Sequence, residues 1–224
     1  MTGLTRRGFL ALAPLAAASC ATSGGMVQGP RLDPIYYQMY AAITDEPYPV
    51  PAVDLARIDP RFLRQEIAYP GAAAPGTIIV DPGARYLYLI TEGGRAIRYG
   101  VGVGREEAFN FQGEATIARK AEWPSWTPTP DMIAREPDRY GPYRDGLPGG
   151  LDNPLGARAL YLYQDGRDTY YRLHGTNEPW SIGRKVSSGC VRLLNQDIID
   201  LYRRVPVGSR VVVLQSGYYY SAGV

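Results

Sequence analysis

His174-Gly175-Thr176-Asn177 and, a few residues on, Ile182-Gly183-Arg184-Lys185-Val186-Ser187-Ser188-Gly189-Cys190-Val191-Arg192-Leu193 form the stretch on which the reading of this chain turns. It holds the one histidine of the sequence and one of its two cysteines, 190 − 174 = 16 residues later. Acyl transfer by a thiol needs a deprotonated sulfur, a base to take its proton, and donors for the oxyanion that forms on the attacked carbonyl. A free thiol is mostly protonated near neutral pH, so a neighbouring imidazole is the usual means of making thiolate available. Spacing alone does not establish contact, because folding joins such pairs from unrelated positions. Taken singly, Cys190 reads equally as an inert buried thiol and His174 as a hydrogen-bonded histidine at a strand end.

Outward from this stretch the chain is rich in strand signals. Ala159-Leu160-Tyr161-Leu162-Tyr163 and Tyr170-Tyr171-Arg172-Leu173-His174 flank the turn Gln164-Asp165-Gly166-Arg167, which predicts a hairpin ending at the histidine. Thr77 to Val80 and Tyr86 to Ile90 flank Asp81-Pro82-Gly83 and predict another. Glu92-Gly93-Gly94 then turns the chain into a strand from Ala96 to Gly104, whose alternating glycines let another backbone or a ligand approach closely. After the cysteine, Ile198, Ile199 and Tyr202 share one face of a predicted helix over Asn195 to Arg203, and a last strand covers Arg210 to Leu214. The centre, Gly113 to Gly150, is rich in Pro, Gly and Trp and predicts no helix beyond Pro130 to Glu136. Long ordered loops are usually functional, so Trp123 and Trp126 beside prolines read either as walls for an extended substrate or as core residues.

The ends read differently. Arg6-Arg7-Gly8-Phe9-Leu10 followed by an alanine-rich apolar run to Ala18 has the layout of an export signal over residues 1–25, with a twin-arginine-like pair. Ala17-Ala18-Ser19-Cys20 resembles a lipobox, which would anchor the chain through a lipid on Cys20; its small residues suit an ordinary signal peptidase equally well. Residues 26–75 read as an N-terminal extension with a short helix near Pro34 to Ile43, and 216–224 as a tyrosine-rich tail. A formal net charge of +2 is too small to indicate a nucleic-acid partner. With Cys20 in the leader, Cys190 has no disulfide partner in its own mature chain, and an unpaired thiol in an exported protein calls for a chemical explanation.

The motif from His174 to Leu193 closely resembles the signature of the L,D-transpeptidase catalytic domain (YkuD) family. The resemblance extends from Gly76 to Leu214 and includes Trp123-Pro124-Ser125-Trp126-Thr127-Pro128-Thr129-Pro130; it implies a catalytic domain over 76–215. It implies a mostly β fold, a sandwich or barrel of mixed sheets with a short helix after the nucleophile, and a reaction that uses no metal and no cofactor. By the same resemblance Cys190 is the nucleophile and His174 its base. Ser187, Ser188 and Gly189 would orient the thiol or supply oxyanion donors, and Gly175, Thr176, Arg192, Trp123 and Trp126 would face substrate. Ser188 stands where many members have histidine, which leaves His174 the sole imidazole. Arg192 reads equally as a structural ion pair, with Asp197 or Asp200 as partner. The implied partners are peptidoglycan stem peptides and carbapenem-type inhibitors, met in the periplasm or cell envelope. Two alternatives stay open: hydrolysis by the same site, as an L,D-carboxypeptidase, and a non-catalytic peptidoglycan-binding envelope protein.

Overall fold

The computed structural model describes residues 32–105, 111–187 and 189–215; the leader with Cys20, Ser188 and the tyrosine tail lie outside the described residues. Its strands are β1 (Gln65–Ala68), β2 (Ile78–Asp81), β3 (Tyr86–Thr91), β4 (Arg95–Gly100), β5 (Val103–Gly104), β6 (Gly113–Glu122), β7 (Arg158–Gln164), β8 (Arg167–His174), β9 (Lys185–Ser187), β10 (Val191–Arg192) and β11 (Arg210–Val213). Helices are few and short: α1 (Pro34–Met39), α2 (Pro130–Arg135), α3 (Pro137–Tyr140) and α4 (Asn195–Arg204). None of them is long and apolar enough to cross a membrane.

Nine strands form one mixed sheet in the order β1-β4-β3-β2-β11-β6-β7-β8-β10, and β5 and β9 pair separately in parallel. The fold is therefore mostly β, with mixed sheets and a short helix shortly after Cys190. The hairpins β2–β3 and β7–β8 form where turn residues separate apolar runs, the second closing at Gln164 and Arg167. Central β2 pairs with β11 in parallel and is buried on both faces, which explains its unbroken apolar run. Ile78 and Val80 point into the main core with Leu87, Leu160, Leu173, Ile198 and Val211, while Ile79 joins Ile90 and Ala96 on the opposite face. Helix α4 lays Ile198 and Leu201 into that main core.

Three elements differ from the sequence expectations. Strand β6 is ten residues long and sits between β11 and β7, inside the segment where only loop and a short helix were legible. Its pairing slips between Ile117 and Arg119, which interrupts the period-two pattern, and its alanines carry little strand signal. The strand predicted to continue to Gly104 instead stops at Gly100, and the chain crosses to β5 through Gly102. There Gly102 exchanges two backbone hydrogen bonds with Arg192, at 2.9 and 2.8 Å, and a Cβ on it would stand 2.7 Å from the Ser181 carbonyl oxygen. The alternating glycines thus permit the close backbone approach expected of them, but between strands rather than with a ligand. Finally, the segment before β2 is built into the core. Tyr40, Phe62 and Leu63 are buried with Ile182 and Leu194, and β1 pairs with β4 at the sheet edge.

Candidate active site

Parallel pairing of β10 with β8 sets Val191 beside Leu173 and Arg192 beside His174. One step back along that register, Cys190 falls next to Arg172, two positions from His174 on the ladder. His174 and Cys190 both border a cavity of about 500 Å³. Its other wall is the segment that carries α2 and α3, which contributes Trp126, Met132, Arg135, Arg139, Tyr140 and Tyr143. Trp126 packs edge-on against Tyr140 and Tyr143, each with ring centres 6.1 Å away, giving this wall a rigid aromatic base.

His174 is buried, and its Nδ1 lies 2.6 Å from the Gly175 carbonyl oxygen. A carbonyl only accepts, so in the neutral ring Nδ1 carries the hydrogen and Nε2 keeps the lone pair that a base needs. Burial pushes the imidazole down from 6.5 to about 3, helped by the Arg192 charge and opposed by the Gly175 carbonyl. Burial also raises the Cys190 thiol above its ordinary 9.0, against the Arg172 N–H and the charges of Arg172 and Arg192. Cys190 is only half-buried, so solvent in the cavity moderates that rise. Both groups are therefore neutral at rest near pH 7.

Ser187 braces the turn before the cysteine. Its Oγ donates to the Cys190 carbonyl at 2.7 Å and accepts the Gly189 N–H at 3.2 Å. Gly189 has φ +134, a conformation that suits glycine and few others. Its N–H is thus engaged with Ser187, which corrects the expectation that it points at an oxyanion; Ser188 lies outside the described residues.

The substrate-facing expectations divide. Trp126 and Arg192 border the cavity. Arg192 Nη1 donates to Glu178 Oε2 at 2.6 Å, so its ion pair is with Glu178 and not with Asp197, which pairs with Arg64, or Asp200, which pairs with Arg64 and Arg204. Trp123 belongs to the core instead. It packs with Val50, Ala157 and Ile199, its ring 4.9 Å from Tyr48 and its Nε1 donating to Glu46 at 2.9 Å. Thr176 is buried away from the cavity, its Oγ1 accepting the Glu178 N–H, and its carbonyl accepts from Asn195 Nδ2. Gly175 is packed against the same asparagine, which leaves no room for a side chain. Thr176 and Gly175 therefore hold the histidine loop to α4, and neither borders the cavity. Sequence reasoning passed over Arg172 and Tyr170, although Arg172 lies two positions before His174 on one strand, where period-two alternation puts it on the same face.

Among the described residues, no group of three or more His, Cys, Asp or Glu side chains gathers to hold a metal. Comparison with known proteins converges on one family. The domain described as "YkuD: L,D-transpeptidase catalytic domain" matches residues 75–213. The Escherichia coli K12 protein named "Probable L,D-transpeptidase ErfK/SrfK" is 34% identical over 160 residues, covering 70% of this chain and 49% of that protein. "Probable L,D-transpeptidase YbiS" from the same strain is 37% identical over 151 residues, covering 66% and 47%. The chain thus spans about half the length of these curated relatives. A solved Brucella melitensis chain, named "Probable carnitine operon oxidoreductase caia", is 49% identical and covers 72% of this chain and 99% of its own, with a TM-score of 0.48; that name is said of that protein alone. With the family domain matched over more than half its length, this chain belongs to the L,D-transpeptidase catalytic-domain (YkuD) family.

Proposed function

We propose that this chain is a peptidoglycan L,D-transpeptidase in which Cys190 forms a thioester with a stem peptide and passes it to an amine. The observation that carries the reading is the shared cavity: the sole imidazole, locked by the Gly175 carbonyl into the tautomer of a base, borders the same space as the unpaired thiol. In the first half-reaction the thiol proton passes to His174 Nε2 as Sγ bonds to the carbonyl carbon of the diamino acid's L centre. The tetrahedral adduct then collapses, His174 returns the proton to the departing amine, and terminal D-alanine leaves. In the second, an acceptor amine attacks the thioester and loses a proton through His174, and collapse of the adduct restores the thiol. The aromatic wall at Trp126 and the cation of Arg192 suit an extended peptide that carries carboxylates.

A carbapenem offers the same thiol a strained amide carbonyl, and opening the ring leaves an acyl adduct on sulfur. Intact-mass measurement of reduced protein after carbapenem exposure is expected to show one adduct, mapped to Cys190. Prolonged exposure without mass gain would remove the main support for an activated thiol. The same measurement with purified muropeptides identifies the acceptor, since amine transfer yields cross-linked products and water yields a shortened stem. The export reading of residues 1–25 puts the reaction in the cell envelope. Fractionation of cells that make the full chain tests this, and mature protein found only in the cytoplasm would contradict it.

A further inference from the structure

Strand β8 does not run straight past the nucleophile. Its pairing with β7 has Tyr161 opposite Arg172 and Tyr163 opposite Asp168, so that Leu162 faces three residues, Thr169 to Tyr171. At the crest of this bulge Tyr170 has φ +61, a left-handed conformation that disfavours a bulky side chain. Its ring is 74% exposed, so burial of the side chain does not explain the strain. Its backbone supplies a better reason. The Tyr170 carbonyl oxygen lies 3.8 Å from Cys190 Sγ and accepts from the thiol. The Arg172 N–H, at the foot of the same bulge, also faces the sulfur.

What holds the bulge is a set of local contacts centred on one ion pair. Arg172 sets both ends of its guanidinium fork on Asp168, at 2.7 and 2.9 Å, and Asp168 Oδ1 also accepts the Tyr170 N–H at 2.8 Å. Thr169 Oγ1 donates to the Leu162 carbonyl at 2.6 Å and accepts the Tyr171 N–H at 3.2 Å. The guanidinium rests over the Tyr161 ring, 4.4 Å from its centre, so the pair is fixed from below as well.

We propose that the Asp168–Arg172 ion pair is a positioning clamp for the nucleophile, locking the bulge that turns the Tyr170 carbonyl onto the Cys190 thiol and keeping the Arg172 cation beside the sulfur. The proposal rests on the reading of Cys190 as nucleophile. At rest the carbonyl holds the proton and the direction of the thiol; when the acyl donor arrives the proton leaves for His174, and the Arg172 N–H and charge steady the sulfur's negative charge. Among the described residues, the charged and titratable groups that act on Cys190 or share its cavity are Arg172, Asp168, Tyr170, Tyr171 and His174 from β8, Arg192 from β10 with its partner Glu178, and, across the cavity, Asp131, Arg135, Arg139, Tyr140, Tyr143 and Asp152. Of these, Arg172 and Arg192 favour thiolate and Asp168 opposes it.

Two variants that both break the ion pair should therefore move the thiol in opposite directions. Asp168→Asn leaves Arg172 unneutralised and frees the carbonyl, which lowers the thiol pKa; Arg172→Met removes the cation and leaves the carboxylate, which raises it. The experiment is the pH profile of iodoacetamide alkylation on the full chain, alongside melting temperature and steady-state turnover. Because thiolate fraction changes tenfold per pH unit below the pKa, alkylation at pH 7 is expected to be about threefold faster in Asp168→Asn and about threefold slower in Arg172→Met. Turnover is expected to fall by about tenfold in kcat for both, with KM little changed, because the sulfur is misaimed. Asp168→Glu should recover part of that loss. If either variant fails to fold, Arg172→Lys reads the same point: it keeps the charge, so the pH profile holds while kcat falls. Alkylation shifts of one sign in both variants, or no shift in either, overturn the clamp. The alkylation readout needs no transpeptidation, so opposite shifts in the two variants, beside a wild type that does not turn over, would sink the proposed reaction and leave the clamp standing.

Discussion

Replacing Cys190 by alanine is expected to abolish acyl transfer, with turnover falling on the order of 10⁴-fold or more, as for removal of a nucleophile. Among the described residues this is the one free cysteine. The neighbouring Ser187 hydroxyl does not take over, because it already donates to the Cys190 carbonyl and braces the turn. The variant should keep its fold. The local hydrogen bonds run through the Cys190 carbonyl and the Gly189 N–H rather than through sulfur, whose own contacts are the weak one to the Tyr170 carbonyl and the one from the Arg172 N–H. Mass spectrometry of muropeptide products, paired with a melting curve, checks both halves. Turnover within a few-fold of the wild type would eliminate the thiol mechanism and require a different nucleophile.

How much of this was legible in the sequence depended on whether a signal was local. The β7–β8 hairpin announced itself because Asp165-Gly166 lies between two aromatic and branched runs, and the motif after it singled out Cys190 and His174, which the fold brings to one cavity. Strand β6 was hidden, since Ala115 and Ile117 start an alternation that the slip before Arg119 breaks, and its neighbours β11 and β7 arrive from far along the chain. The two tryptophans could not be told apart by composition. Trp123 is drawn inward by Glu46, 77 residues away, while Trp126 finds ring partners in Tyr140 and Tyr143 at the cavity wall. Arg192 was open to several carboxylates, and its choice of Glu178 follows from tertiary geometry: Arg64, from the segment before β1, pairs with Asp197 and Asp200, and Arg204 holds Asp200 as well. Arg172 was the reverse case. Its strand position was readable, but its contact with the sulfur required the register of β10, a two-residue strand too short to recognise in advance.

Removal of the imidazole is expected to slow acylation by roughly 10²–10⁴-fold, the usual size of a general-base contribution. Since Cys190 and His174 are both neutral at rest, the loss should fall on the step in which the thiol gives up its proton, with substrate binding less affected. Stopped acylation by a carbapenem, read by intact mass against time in the wild type and in His174→Ala, measures that step alone. An unchanged acylation rate would show that His174 is not the base. Loss of fold is the competing explanation, and acid stability separates the two. The folded-state pKa of His174, about 3, lies below its ordinary 6.5, so between these values the unfolded chain takes up a proton that the folded chain refuses. The corresponding stability is present in full above pH 6.5 and is lost as pH falls towards 3. Asp197 works the other way, its buried carboxyl raised to about 7 from 3.8, so its contribution is present in acid and is lost as pH rises. That opposing effect is common to both proteins and cancels when they are compared. Denaturant midpoints at pH 7 and pH 4 should therefore drop less in His174→Ala than in the wild type, even as its acylation fails. A variant that is slow and also equally acid-labile would place the imidazole's burial, and with it the resting neutral pair, in error.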